Sequence, residues 1–194
     1  LTVGAQIGVS NGTWINSPDS YAYQWLRNGA NIALNGTSQF YTLVVADAGA
    51  MISCRVTATN ADGSVPATSA ARGPVLQMPA NTVAPVLSGV VQTGQTLSTT
   101  NGTWTGSPAP AFTYEWFRDG VEILGAIDPT YVLGFADVGH NIRVSVIGTN
   151  GAGSVAAQSN QLGPVTLTPI DTAAQYKVFL ATRSFPSPPV ALPK

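Results

Sequence analysis

Side chains able to do acid–base, nucleophilic or metal chemistry are few in this 194-residue chain, and they are scattered. It has one histidine, His140, and one cysteine, Cys54. An imidazole beside a carboxylate can shuttle protons, and His140 directly follows Asp137-Val138-Gly139. The same triplet pattern occurs earlier as Asp47-Ala48-Gly49, but there the next residue is Ala50. A side chain that the second occurrence does without reads as a turn residue. Asp47 and Asp137 could form a carboxylate site. The plainer reading is an aspartate accepting backbone N–H bonds in a turn that Gly49 and Gly139 complete. Cys54 would need a nearby cation to become a reactive thiolate, and no basic residue stands at a useful spacing. It reads as a small buried hydrophobe. Gly-rich phosphate loops, Cys/His ligand spacings and serine-nucleophile motifs are all missing from the sequence. The sequence therefore implies no catalytic residue, no cofactor and no metal.

The paired aspartate triplets belong to a longer correspondence. "NGTW" stands at Asn11–Trp14 and again at Asn101–Trp104. "YAYQWLRNG" and "YTLVVADAGAMISCRVTATNADGSV" are followed later by "FTYEWFRDG" and "YVLGFADVGHNIRVSVIGTNGAGSV", and each copy closes on "GPV". Most matched positions differ by 90 in number; around Trp25 and Trp116 the shift is 91. A repeat of this length is a folding unit used twice.

Within each copy the apolar residues alternate with a period of two, which means strands. Tyr23 and Trp25 alternate with polar neighbours, as do Ile52, Cys54 and Val56. Tyr114 and Trp116, and Ile142, Val144 and Val146, repeat both patterns. Asn28-Gly29 and Asp119-Gly120 are hairpin dipeptides, because both residues accept positive φ. Short strands broken by Gly and Pro, with helical signals nearly absent, predict an all-β chain of two tandem β-sandwiches. Charged residues make up only 9% and the net charge is −1, with no Lys/Arg cluster. That excludes a nucleic-acid surface. No apolar run approaches the ~18 residues of a membrane span. Leu1 rather than Met opens the sequence and no signal-peptide pattern is present, so a processed or partial chain is expected.

A tryptophan in the third strand ("YQW", "YEW") followed by Asp-x-Gly resembles an immunoglobulin-type sandwich. The fuller pattern of "NGTW", "Y-x-W-x-R-x-G", "Y-x-L-x-x-x-D-x-G" and "T-N-x-x-G-S" resembles bacterial and bacteriophage Ig-like repeats, most of all those appended to phage virion structural proteins. The chain departs from the antibody pattern in one respect: Cys54 has Val144 as its counterpart, so no intrachain disulfide forms. The resemblance implies a non-enzymatic protein of a phage virion surface, a head decoration, fibre or tail accessory component, weakly adhesive to a host surface or its glycans. The alternative is a bacterial secreted or cell-surface adhesin or filament subunit. An accessory module of an enzyme whose catalytic domain lies elsewhere is a third class.

The expected organisation is a first sandwich over 1–76 without its first strand, a linker over 77–82, a second sandwich over 83–165, and an extended tail or anchor over 166–194. "LQMPANTVA" lacks the carboxylates of a calcium-stiffened junction. Trp25 and Trp116 are expected as pins between the sheets, with Trp14 and Trp104 closing one end of the core and Cys54 inside it. Asn11, Asn35 and Asn101 open Asn-x-Thr triplets, glycosylation acceptors in a eukaryotic secreted chain and polar turns otherwise. Tyr21, Phe40, Tyr41, Phe112 and Tyr131 could offer faces to sugars, although alternation turns half of them inward. In the tail, Tyr176, Val178, Leu180 and Phe185 are candidate contacts with other virion or assembly proteins, in a homo- or hetero-oligomer.

Overall fold

The computed structural model describes residues 1–168 of the chain. The tail residues Tyr176, Val178, Leu180 and Phe185 lie outside the described residues. The first domain is built from β1 (Gln6–Gly8), β2 (Ser20–Arg27), β3 (Ala30–Asn31), β4 (Phe40–Thr42), β5 (Ile52–Asn60) and β6 (Gly63–Thr68). The second follows as β7 (Gln77–Val83), β8 (Leu87–Ser88), β9 (Thr96–Thr99), β10 (Thr103–Ser107), β11 (Ala111–Arg118), β12 (Val121–Glu122), β13 (Thr130–Val132), β14 (Ile142–Asn150) and β15 (Gly153–Gln158). The only helical segments among the described residues are the 3₁₀ turns Val45–Asp47 and Phe135–Asp137.

Each domain has one four-stranded antiparallel sheet, ordered β3-β2-β5-β6 in the first and β12-β11-β14-β15 in the second. β2 and β5 pair because both alternate, and their register sets Trp25 against Cys54; in the second sheet Trp116 faces Val144. The hairpin turn after β2 has φ 47° at Asn28 and 83° at Gly29, and the turn after β11 repeats it at Asp119 and Gly120. Two positive φ values in succession give the strand-matching twist of a type I′ turn. The facing sheet is smaller: β1-β4 in the first domain, and β13-β9-β8 in the second. Trp25, Tyr41, Leu43, Ile52, Cys54 and Val75 fill the space between the sheets of domain 1. Leu87, Leu97, Trp116, Leu133, Ile142 and Val144 do so in domain 2. The chain is thus two tandem Ig-like β-sandwiches, and its one cysteine is free and buried.

Two boundaries and one placement differ from the sequence expectation. Residues 77–82 are not a free joint: Gln77–Val83 is a strand, paired antiparallel with β10 through Thr103↔Val83 and Thr105↔Ala80. Pro79 is tolerated because a proline costs a strand little where no ladder partner needs its N–H. The joint has no residues of its own, since Leu76 N–H still donates to Leu1 O in domain 1. The second sandwich also runs past Val165. Thr166 bridges to Gln92, and the Thr168 N–H donates to Thr93 Oγ1 at 2.9 Å. Finally, Trp14 and Trp104 are half-buried and stand outside both buried clusters. Each indole N–H donates to the carbonyl of the asparagine opening its own "NGTW", Asn11 or Asn101, while that asparagine's Oδ1 accepts from Tyr23 or Tyr114. Each tetrapeptide is thus strapped by hydrogen bonds to the strand that carries the core tryptophan, β2 or β11.

Candidate functional site

The chemically richest point in each domain lies beneath the Asp-x-Gly turn. Asp47 is fully buried; its Oδ1 accepts from Arg27 Nε at 2.7 Å and its Oδ2 from Tyr41 Oη and the Val44 N–H, both at 2.8 Å. Asp137 repeats the arrangement with Arg118, Tyr131 and the Gly134 N–H. Gly49 and Gly139, at φ 77° and 83°, turn the chain so that their N–H groups donate to Val75 and Val165. The carboxylates hold Arg27 and Arg118 more firmly protonated than usual, and burial pushes the Tyr41 and Tyr131 hydroxyls upward. Both oxygens of each buried carboxylate are satisfied within the fold while each arginine stays partly exposed, so the cluster is a structural tie.

Cys54 sits in the core with its thiol pushed up by burial, which leaves it inert. His140 Nδ1 lies 2.6 Å from Asp119 Oδ2 on the exposed rim of the second domain. That hydrogen bond, together with one from the Asn141 N–H, lowers the Asp119 carboxyl below its usual range. In domain 1 Asn28 does the same backbone work by accepting from Met51 N–H. Among the described residues no three His, Cys, Asp or Glu side chains gather to hold a metal ion. Nor is any described helix long and apolar enough to cross a membrane.

Of the five aromatic residues considered for stacking on sugars, four are engaged. Tyr41, 3% exposed, stacks on Trp25, and Tyr131 tilts against Trp116. Tyr21 and Phe112 lean on Trp14 and Trp104. Phe40, 55% exposed, presents a free face. It borders an open cleft of about 790 Å³ between β3, β4 and the loop joining them. Asn31, Asn35, Thr37 and Ser38 supply amides and hydroxyls, Arg27 lies at the margin, and Leu34 and Val44 add apolar edges. Phe40 is set in place by Gly8 on the neighbouring strand, where even a Cβ would come within 2.8 Å of the ring. Phe40 and Thr37 have Thr130 and Ile127 as counterparts, so this polar, aromatic lining belongs to domain 1 alone. A feature that the fold dispenses with in its second copy is not required by the fold.

The partners of the aspartate and the cleft differ in the trace they leave in the sequence. Arg27 and Tyr41 were visible as conserved letters of "Y-x-W-x-R-x-G" and "Y-x-L-x-x-x-D-x-G" in both copies, a signal that they act with the aspartate. The cleft had no such signal, because its loop is not periodic.

No protein-family model matches the chain, and no curated protein matches it in sequence. Solved structures of similar architecture include "Rst D1-D2", 14% identical, with 86% of this chain and 93% of that one covered at a TM-score of 0.48. The amphioxus IgVJ-C2 molecule is 15% identical, with 81% and 96% covered and a TM-score of 0.42. Extracellular domains 3–5 of Drosophila OTK are 20% identical, with 77% of this chain and 52% of that one covered, at 0.38. Likenesses of this size carry no functional argument.

Proposed function

We propose that the chain is a non-enzymatic module of an extracellular surface, part of a bacterial secreted or cell-surface adhesin or filament, whose first domain binds a glycan. The domain 1 cleft carries this reading. Its volume lies within the range of small-ligand sites, and it sets one free aromatic face among neutral amides and hydroxyls. A sugar ring offers the matching surface, with an apolar C–H face for Phe40 and hydroxyls for Asn31, Asn35 and Thr37. The surface supports an exterior role, because solubility rests on Ser, Thr, Asn and Gln rather than on charge. Display on a phage virion is the second reading, favoured by "NGTW…Y-x-W-x-R-x-G" and its likeness to virion-appended repeats. In either setting the C-terminal residues from 169 onward would attach the pair to its assembly.

A glycan array followed by whole-cell binding tests the reading. Binding to a neutral glycan that falls at least tenfold in Phe40→Ala, with the thermal midpoint unchanged, is expected. No glycan binding, or binding indifferent to Phe40, would overturn it. Detection in purified particles at fixed copy number, against detection on a cell envelope, decides between the two settings.

A further inference from the structure

The face of domain 2 that corresponds to the Phe40 cleft has a different chemistry. In domain 1, Asn31, Thr37, Ser38 and Thr42 are part of the cleft lining. Their counterparts are Glu122, Ile127, Asp128 and Val132. Two neutral polar side chains have become acids, and two threonines have become aliphatic. Ile127 and Val132 are 69% and 61% exposed, and Leu124 in the same loop is 85% exposed. Glu122 and Asp128 are exposed as well. Aliphatic residues exposed singly are ordinary, but a group of them on one face with an acidic rim marks a surface that meets a partner. β12 and β13 are also the end strands of their sheets, so this side of the domain has two unpaired edges.

Charge points to the occupant. Residues 1–82 balance three arginines against three aspartates. Residues 83–168 carry two arginines against five acids, so the deficit of positive charge belongs to domain 2 alone. The remaining cations of the chain are Lys177, Arg183 and Lys194, set against Asp171. Two of them fall within the most apolar stretch beyond Thr168, "QYKVFLATRSF", where Tyr176, Val178 and Leu180 recur at every second residue. An apolar stretch carrying cations matches an apolar face carrying acids.

The path agrees with the charge. Thr168 is held on domain 2 by its N–H and Oγ1, both bonded to Thr93. The next residue, Gly94, donates its N–H to Leu133 O, directly beside Val132. The chain therefore leaves domain 2 next to the acidic, apolar face. Residues 169–174 can span up to about 20 Å, enough to bring Gln175 onto it.

We propose that residues 175–185 dock on this face of their own domain 2, with Tyr176, Val178 and Leu180 meeting Leu124, Ile127 and Val132, and Lys177 and Arg183 answering Glu122 and Asp128. A segment on so short a tether is present at an effective concentration in the millimolar range, which favours it over the same segment of a second copy. The docking is independent of the glycan reading, which concerns domain 1, and it leaves residues 186–194 to make the attachment.

The test uses the 194-residue chain with a nitroxide attached through Ser184→Cys, the buried thiol being removed by Cys54→Val as in the second copy. The methyl NMR signals of Leu124, Ile127 and Val132 should lose most of their intensity. Those of Val155, on the opposite edge of the same sheet, and of Val65 in domain 1 should keep it. Adding Ile127→Asp should restore Leu124 and Val132 while the rest of the spectrum stays in place. Lys177→Glu with Arg183→Glu should also reduce the loss, and Glu122→Lys with Asp128→Lys added to them should bring it back. Full intensity at Leu124 and Val132, or a loss that Ile127→Asp leaves unchanged, would overturn the docking. A loss passed undiminished from a nitroxide-bearing copy to an unmodified one would overturn the same-chain assignment in favour of a second copy.

Discussion

Replacing Asp47 by alanine removes three acceptor contacts at once, from Arg27 Nε, Tyr41 Oη and the Val44 N–H. The partners differ in what they can do next. The Arg27 side chain is 32% exposed and can rehydrate, so its loss costs little beyond the pair itself. Tyr41 is 3% exposed and stacks on Trp25; leaving its hydroxyl unpaired costs about 1–3 kcal/mol. The Val44 N–H adds about 1 kcal/mol, giving roughly 2–4 kcal/mol in total against roughly 4–12 kcal/mol for a domain of this size. Urea unfolding followed by tryptophan fluorescence should show the domain 1 transition moving to much lower denaturant while that of domain 2 stays. Arg27→Ala should cost a comparable amount, because it strands a carboxylate in the interior. The double variant should lose much less than the sum. A loss under about 1 kcal/mol in Asp47→Ala, or strict additivity, would refute the buried tie.

Trp25→Ala should cost about 3–5 kcal/mol, and Trp14→Ala, half-buried outside the core, about 1–2 kcal/mol; equal losses in denaturant unfolding would contradict the placement of the two indoles. Domain 2 begun at Ala84 should be less stable than domain 2 begun at Gln77 by about 2–3 kcal/mol, because β7 pairs with β10 and its Gln77 carbonyl accepts from Asn150; identical thermal midpoints would return 77–82 to the status of a joint. The lowered Asp119 carboxyl contributes stability above its ordinary value of 3.8 that is lost as pH falls through the folded value. His140→Ala should bring that titration, read by NMR, back toward 3.8, and an unmoved Asp119 would show that the imidazole contact is not made.

The long central strands were legible because large apolar letters recur at every second residue of β2, β5, β11 and β14, and the Asn-Gly and Asp-Gly dipeptides mark their turns. Repetition made the legibility twofold: "NGTW" and Asp-x-Gly could be recognised as fixed points before their bonds were known. The role of Trp14 was not legible, since period and residue type show that an indole is needed without showing that it bonds its own turn. Pro79 made Gln77–Val83 look like a break, but its pairing with β10 depends on a sequence some twenty-five residues further on. The cleft at Phe40 arises from a loop and from the absence of a side chain at Gly8, neither of which leaves a periodic trace.

The strand that closes one sandwich and opens the next has a mechanical consequence. A flexible tether first answers a pull by straightening, at an entropic cost that gives it slack. Between Leu76 and Gln77 there is nothing to straighten, because a strand already spans about 3.3 Å per residue. Tension entering at one end therefore passes directly into the β7–β10 hydrogen bonds, and the pair resists extension until those bonds shear. Repeats connected this way behave as a gauge of fixed length, whose reach changes only when a ladder of hydrogen bonds gives way.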